Sequence, residues 1–357
     1  MSDGHGRAGG DGNFEPRTTE GVAVVEGLSG IEVRRIAGKL GAEIRGVDLR
    51  LAHDGDPGIM EEIRAALLRH KVIVFRAQDL SHAEHVAFAR GLGEVTRLPG
   101  RRHGTHPEGF PEILVVDPDA KGTRRGLRSA ERLSGKSTRH DSGWHVDIAS
   151  AVNPPAISVL RCEVATEYGG DTQWTDLVAA YEGLSRPLQQ LADNLRAEHG
   201  LHAGVRLLFS DDEDVESIRD LAQDTLLSLH PVVRVHPETK QKVLFLPPAS
   251  VCHVTGVLPW ESDGILGLFF THISRPEYTV RHHWGPGDVA VWDNRSVAHL
   301  QPADLHFTDY RRRMYRVMVL GDRPVGPDGF VSEAVRGEPL RPFVGPGGGE
   351  AAGPVPQ

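Results

Sequence analysis

The sequence predicts a mainly β fold with flanking helices (α+β), rolled into a jelly-roll-like barrel. The segments 157–164, 232–235, 243–246, 289–292 and 314–320 are short, rich in Val, and bounded by Gly, Pro or Asp, as strands are. Helical spacing is confined to a few stretches outside them. The residues best suited to hold a metal lie on β segments far apart in sequence, and a rolled sheet, unlike a doubly wound one, brings such segments together.

From the N-terminus, Ile59, Ile63, Ala66 and Leu67 share one helical face, and KVIVF then reads as a short buried strand. Ser81 with Glu84 three residues later forms a capping box that opens a second helix containing Val86, Ala87 and Phe88. A third helix starts near Ser185, where Pro187 suits the first turn and Leu188, Leu191, Ala192 and Leu195 recur at helical spacing. The remaining periodic segments are the strands named above.

The chain has 357 residues, room for one sizeable core, and its 39% hydrophobic and 25% charged residues are ordinary for a globular protein. A net charge of -9 opposes attraction to nucleic acid, and no apolar stretch nears the roughly 20 residues of a membrane span. The sequence holds only two cysteines, Cys162 and Cys252, in no metal-binding or disulfide arrangement, and the polar MSDGHGRAGGDGNFEPR start lacks a secretory core. A cytoplasmic location is expected. Gly- and Pro-rich composition marks 1–30 and 326–357 as flexible tails around a single domain, 31–325.

In WHVD, His145 and Asp147 are two apart, so on a strand both side chains leave the same face and can grip one ion. Such pairs also arise by chance, as in His82/Glu84, His106/Glu108 and His236/Glu238. His299, following the strand that ends in WDNR, supplies a second imidazole, and two His with one carboxylate form the facial set that leaves positions open on iron(II). The same ligands suit zinc with a hydrolytic water. Arg312 and Arg316 are even-spaced on the strand RMYRVMVL, placing them on one face; they either point inward toward a carboxylate or pair with Asp304, Asp309 or Asp322. His282 and His283 are adjacent on a strand and face opposite ways, so they form no second metal site. Trp144 and Trp292 read as core packing beside the ligands.

WHVDIASAVNPPAISVLRCEVATEYGGDTQWTDLVAAYEGLS, GDVAVWDNRSVAHLQPAD and RRRMYRVMVLGDRP, together with LGAEIRGVDL, KVIVFRAQDLS and HPVVRVHPETKQKVLF, resemble the taurine dioxygenase family of iron(II)- and 2-oxoglutarate-dependent enzymes in collinear order from Leu40 to Pro324. The resemblance implies a double-stranded β-helix, the cupin-like jelly roll, with His145, Asp147 and His299 as iron ligands. It assigns the Thr172 hydroxyl to a 2-oxoglutarate carboxylate, Arg316 to the salt bridge with the far carboxylate, and Arg312 to a supporting contact. Without it, Thr172 reads as a turn residue after Gly169 and Gly170. The implied reaction uses Fe(II), 2-oxoglutarate and O2 to hydroxylate a small organic substrate, releasing succinate and CO2. Retention of Asp147 sets the chain with hydroxylases rather than halogenases, and the family implies a homodimer or homotetramer.

The taurine-cleaving members hold the sulfonate with a His and a Tyr where this chain has Leu98 and Arg101, so taurine is not the expected substrate. Those two, Val146 between the ligands, and Arg124 and Arg125 are the candidate substrate contacts. Arg124 and Arg125 belong to a basic segment, 117–142, that reads either as an active-site lid drawing in an anionic or polar substrate or as a solvated surface loop. A zinc hydrolase on a cupin-like barrel and a non-catalytic anion-binding barrel are the competing readings.

Overall fold

The computed structural model describes residues 31–51, 57–97, 106–117, 143–200, 226–301, 304–305, 308 and 310–345. In chain order the first half holds β1 (Glu32–Arg35), β2 (Ala42–Arg45), α1 (Pro57–His70), β3 (Val72–Phe75), α2 (His82–Leu92), β4 (Val95–Thr96), β5 (Leu114–Val116), β6 (Ile157–Val164) and β7 (Thr172–Asp176). Then come α3 (Leu177–Glu182), α4 (Arg186–Asp193), β8 (Arg196–Gly200), β9 (Leu227–Pro231), β10 (Val233–Val235), β11 (Lys242–Leu244), β12 (Val251–Val254) and α5 (Pro259–Ile273). The chain closes with β13 (Thr279–His282), β14 (Val289–Asp293), β15 (Val297–Leu300), β16 (Arg313–Val319) and β17 (Glu333–Arg336).

The major sheet runs β1-β2-β3-β14-β6-β16-β4, with β5 also on β16, and a smaller sheet, β13-β7-β15, faces it. Strand alternation explains how one set of strands serves two cores. On β3, β6 and β14, Ile73, Phe75, Val159, Val289 and Val291 pack toward α1 and α2. The alternate residues Val72, Val74, Leu160, Cys162, Ala290 and Trp292 pack instead against Trp174, Val280 and Val297 of the smaller sheet. This second layer is the inner lining of the jelly roll, and the metal candidates lie in it.

Most of the elements read from sequence are present. The Ser81–Glu84 capping box opens α2, with both reciprocal hydrogen bonds formed, and Ser185 precedes α4 with Pro187 in its first turn. Three features differ. WHVD is not a strand: His145 makes an isolated bridge to His299, and Asp147 lies in a turn. α5 was not anticipated. The segment 326–345, expected as part of a flexible tail, carries β17, which pairs with β9, and Leu340 is buried there with its backbone N–H and C=O both bonded to Asn153. Its few apolar side chains and backbone bonds anchor it despite the Gly/Pro-rich composition. Residues 1–30 and 346–357 lie outside the described residues.

Candidate metal centre

His299 stands on β15 opposite Trp174 of β7. His145 reaches it from the other side: the two residues exchange both backbone hydrogen bonds, at 2.9 and 2.8 Å, and their rings lie 4.0 Å apart. From His145 the chain turns at once. The Ala149 N–H bonds the Val146 carbonyl at 3.3 Å, making Asp147 and Ile148 the central pair of a β-turn. Ile148 has φ 45°, a left-handed conformation that costs a β-branched residue roughly 1–3 kcal/mol and persists only where the surroundings impose it. The turn swings the Asp147 carboxylate back to the imidazoles, so that His145, Asp147 and His299 each offer a ligand atom within 4.8 Å of the others.

The Asp147 carboxylate is fixed at both oxygens. Oδ1 accepts from Arg316 Nη1 at 2.6 Å, and Oδ2 accepts from the Ser158 hydroxyl at 2.5 Å. Ser158 is held in turn by Asn294 Nδ2 at 2.9 Å, whose Oδ1 accepts from Trp292 Nε1 at 2.9 Å. Asp147, Ser158, Asn294 and Trp292 are all buried, and Arg316 is partly so. Burial alone raises the Asp147 carboxyl, but Arg316, His299, His145 and the Ser158 bond overcome it and hold the group down to about 2.

Both imidazoles are pushed below their ordinary range, chiefly by burial. His145 Nδ1 lies 3.0 Å from the Gly143 carbonyl, so in the neutral ring Nδ1–H donates there and Nε2 keeps its lone pair. Neither His299 nitrogen has a hydrogen-bond partner although both are buried, an arrangement that costs free energy unless another group supplies the partner. A carboxylate, two neutral imidazoles and an orphaned buried nitrogen fit a divalent ion. Among the described residues, this is the one cluster of three or more His, Cys, Asp or Glu able to hold a metal. His282 is buried on Asp288 while the His283 side chain is 53% exposed on Asp171, facing opposite ways as expected.

Deeper in the same lining, Gly169 (φ 72°) and Gly170 (φ 66°) bring the chain sharply into β7 and place Thr172 inside; a Cβ on Gly170 would meet Arg312 Cδ at 3.1 Å. Thr172 Oγ1 accepts from Trp284 Nε1 at 3.0 Å and from Arg312 Nη2 at 3.4 Å. Arg312 also reaches Gln301 Oε1 at 3.2 Å, and its buried Nε has no partner. Burial pulls its guanidinium down to about 10, which leaves it charged at neutral pH. Of the local acids among the described residues, Asp304 pairs with Arg281 and Asp322 with Arg234; Asp309 lies outside them.

The remaining candidates fare differently. Val146 is 2% exposed, and its side chain is taken up by the apolar cluster of Trp144, Leu177 and Phe245. Leu98, Arg101, Arg124, Arg125 and residues 118–142 of the expected lid lie outside the described residues. Ser158, Asn294 and Trp284 were not singled out for the site; Asn294 and Trp292 sit in the quoted WDNR, but their contact with Asp147 through Ser158 exists only in three dimensions.

The family model for taurine catabolism dioxygenase TauD, TfdA family, matches residues 32–318. The chain is 36% identical over 310 residues to an alpha-ketoglutarate-dependent sulfate ester dioxygenase of Pseudomonas putida, covering 86% of this chain and 95% of that protein. It is 31% identical to an alkylsulfatase of Acinetobacter baylyi, covering 84% and 88%. The crystal structure of a taurine dioxygenase from Burkholderia xenovorans superimposes with a TM-score of 0.71 at 40% identity, covering 86% of this chain and 97% of that one. Sequence, fold and a His-Asp-His cluster agree: the chain belongs to the TauD, TfdA family and is a 2-oxoglutarate-dependent non-haem iron dioxygenase with a jelly-roll fold.

Proposed function

We propose that this dioxygenase hydroxylates an unactivated C–H bond of a small anionic organic substrate, and that sulfate esters are the class it acts on. The observation that carries the 2-oxoglutarate-dependent chemistry is the pair of guanidinium groups in the lining, Arg316 on the metal carboxylate and Arg312 beside Thr172. They suit a dicarboxylate lying between them. When bound, iron(II) supplies the activation of dioxygen, coupled to conversion of 2-oxoglutarate to succinate and CO2.

The chain's own residues bind and orient. Thr172 Oγ1 accepts two hydrogen bonds, so its own proton is free to donate to a carboxylate that Arg312 also meets. Arg316, at Asp147, is left to hold the carboxylate nearest the metal. This exchanges the two roles expected from the family resemblance, because Arg312 rather than Arg316 shares Thr172. Buried Trp174, Trp292 and Trp284 exclude water from this end of the site. A hydrolytic zinc site has no use for the Thr172–Arg312 pair.

The relatives named for sulfate esters and alkyl sulfates support the substrate class. Hydroxylation of the carbon bearing the ester oxygen gives an adduct that collapses to an aldehyde and inorganic sulfate. Oxygen uptake, succinate and sulfate should therefore rise together when an alkyl sulfate is added to enzyme, iron(II) and 2-oxoglutarate. Succinate formation driven by neutral compounds but by no anionic one, across alkyl sulfates, alkanesulfonates and phenoxyacetates, contradicts the anionic class.

No described helix is long and apolar enough to cross a membrane. A cytoplasmic location is supported by the sparse cysteine content, Cys162 and Cys252 lying far apart in sequence and in no disulfide framework pattern. A homodimer or homotetramer rests on the family alone.

A further inference from the structure

β9 lies beside the turn that carries Asp147. Ser228 and His230, two apart on that strand, project from one face, and each bonds a carbonyl of that turn. The Ser228 hydroxyl donates to the Ser150 carbonyl at 2.8 Å, and His230 Nε2 lies 3.0 Å from the Ala149 carbonyl. His230 Nδ1 lies 2.7 Å from the Ser332 hydroxyl, which sits in the C-terminal segment just before β17. All five residues are buried.

The proton positions follow from valence. Burial pulls His230 down to about 3, so its ring is neutral and carries one N–H. A carbonyl can only accept, so that N–H is on Nε2 and points at Ala149, and Nδ1 carries the lone pair beside the Ser332 hydroxyl. The Ser332 hydroxyl also donates to the Pro324 carbonyl at 2.8 Å, which accepts the Ser332 backbone N–H at 2.9 Å as well, so it is the Ala149 carbonyl that fixes the His230 tautomer.

Ile148 shows why the turn needs outside support: a β-branched residue in the left-handed region does not hold itself there. We propose that Ser228 and His230 clamp the Ala149 and Ser150 carbonyls and so set the turn that presents Asp147, with Ser332 lying against His230 Nδ1 on the far side of the ring. They are positioning residues for the metal, acting through backbone rather than through a ligand side chain. The C-terminal segment is thereby coupled to the metal centre. This rests on His145, Asp147 and His299 being the metal ligands.

The test is Mn(II) binding to the metal-free full chain, followed by the electron paramagnetic resonance of free Mn(II), for wild type, Asp147→Ala, His230→Leu, His230→Gln and Ser228→Ala. Asp147→Ala should abolish binding, which checks the ligand set independently. His230→Leu should weaken binding about 10–100-fold, as losses around metal ligands do. His230→Gln, whose Nε2–H can replace the lost donor, should recover most of it. Ser228→Ala should weaken binding by about fivefold, the effect of one neutral hydrogen bond. It removes a single oxygen, so it carries the test even if His230→Leu does not fold. Binding within about twofold of wild type in Ser228→Ala and His230→Leu, with Asp147→Ala inactive in binding, overturns the clamp. Wild-type binding by Asp147→Ala overturns the ligand set and the clamp with it.

Discussion

His145 and His299 are direct partners in an antiparallel bridge, joined by two backbone hydrogen bonds of 2.9 and 2.8 Å, with their rings 4.0 Å apart. One bridge therefore brings together ligands 154 positions apart in sequence, and it leaves the third ligand to a turn. The rigidity of the centre comes from what surrounds Asp147, and that is where substitutions should act.

Ser158→Ala removes the donor to Asp147 Oδ2 and leaves Asn294 Nδ2 without its acceptor. Metal affinity should fall about 10–100-fold, with Asn294→Ala having a smaller effect in the same direction because it acts one bond further away. Titration of the metal-free protein with Mn(II) checks this; equal affinity in Ser158→Ala and wild type contradicts it.

Arg312→Ala and Thr172→Ala should raise the KM for 2-oxoglutarate, Arg312→Ala by about 10–100-fold for loss of charge-assisted hydrogen bonds worth roughly 1.5–3 kcal/mol. The KM for the primary substrate should move far less. Arg312→Lys should not restore the wild-type value, since an ammonium lacks the planar fork. Steady-state kinetics with each substrate varied in turn distinguishes these, and a selective rise in the primary-substrate KM would place Arg312 in the wrong pocket.

His85 is fully buried, and burial pulls it down to about 3, as it does His230. In the unfolded chain each titrates near ~6.5. Between those values the unfolded state binds the additional proton, so stability is fully present above ~6.5 and is lost as the pH falls toward the folded value. Near pH ~5 each group costs roughly 2 kcal/mol. Urea denaturation at about pH 7.5 and about pH 5 should show a large acid loss in wild type and a smaller one in His85→Leu. An undiminished loss in the variant removes His85 from the account.

Asp293 is buried with Arg295 bonded to both its oxygens at 2.8 Å and His236 Nε2 at 3.0 Å, and Arg295 also meets Glu238 at 2.7 Å. This network braces the turn between β14 and β15, which delivers His299. Arg295→Ala strips the buried Asp293 carboxylate of its guanidinium, leaving it only His236 and a backbone N–H, and should cost about 3–5 kcal/mol. Adding Asp293→Asn should recover a substantial part. Denaturant midpoints for the single and double variants decide it; a single variant as stable as wild type contradicts the bracing role.

How far the sequence could be read follows from the range of each interaction. The long strands β6, β14 and β16 and the capped α2 were legible because their signals are local: alternation, flanking Gly or Asp, and a Ser three residues before a Glu. α5 was not, because its run ILGLFF has no polar face, carries Gly267 and follows Gly264 directly. The three ligands were legible as residue types at suitable spacing. Their geometry was not, since a positive φ at Ile148 turns an assumed strand into a turn. Ser158, Asn294, Ser228 and His230 gave no local signal; what they do depends on partners that folding alone brings near. The C-terminal segment misled through composition, since Gly and Pro do not forbid a strand that pairs on a preformed edge.

The most direct test of the centre is the anaerobic visible spectrum of the purified protein with iron(II) and 2-oxoglutarate. The account predicts a weak metal-to-ligand charge-transfer band in wild type, absent in His299→Ala and, at the same co-substrate concentration, strongly reduced in Arg312→Ala. A folded, iron-loaded wild type with no such band, or a band unchanged in His299→Ala, would contradict it.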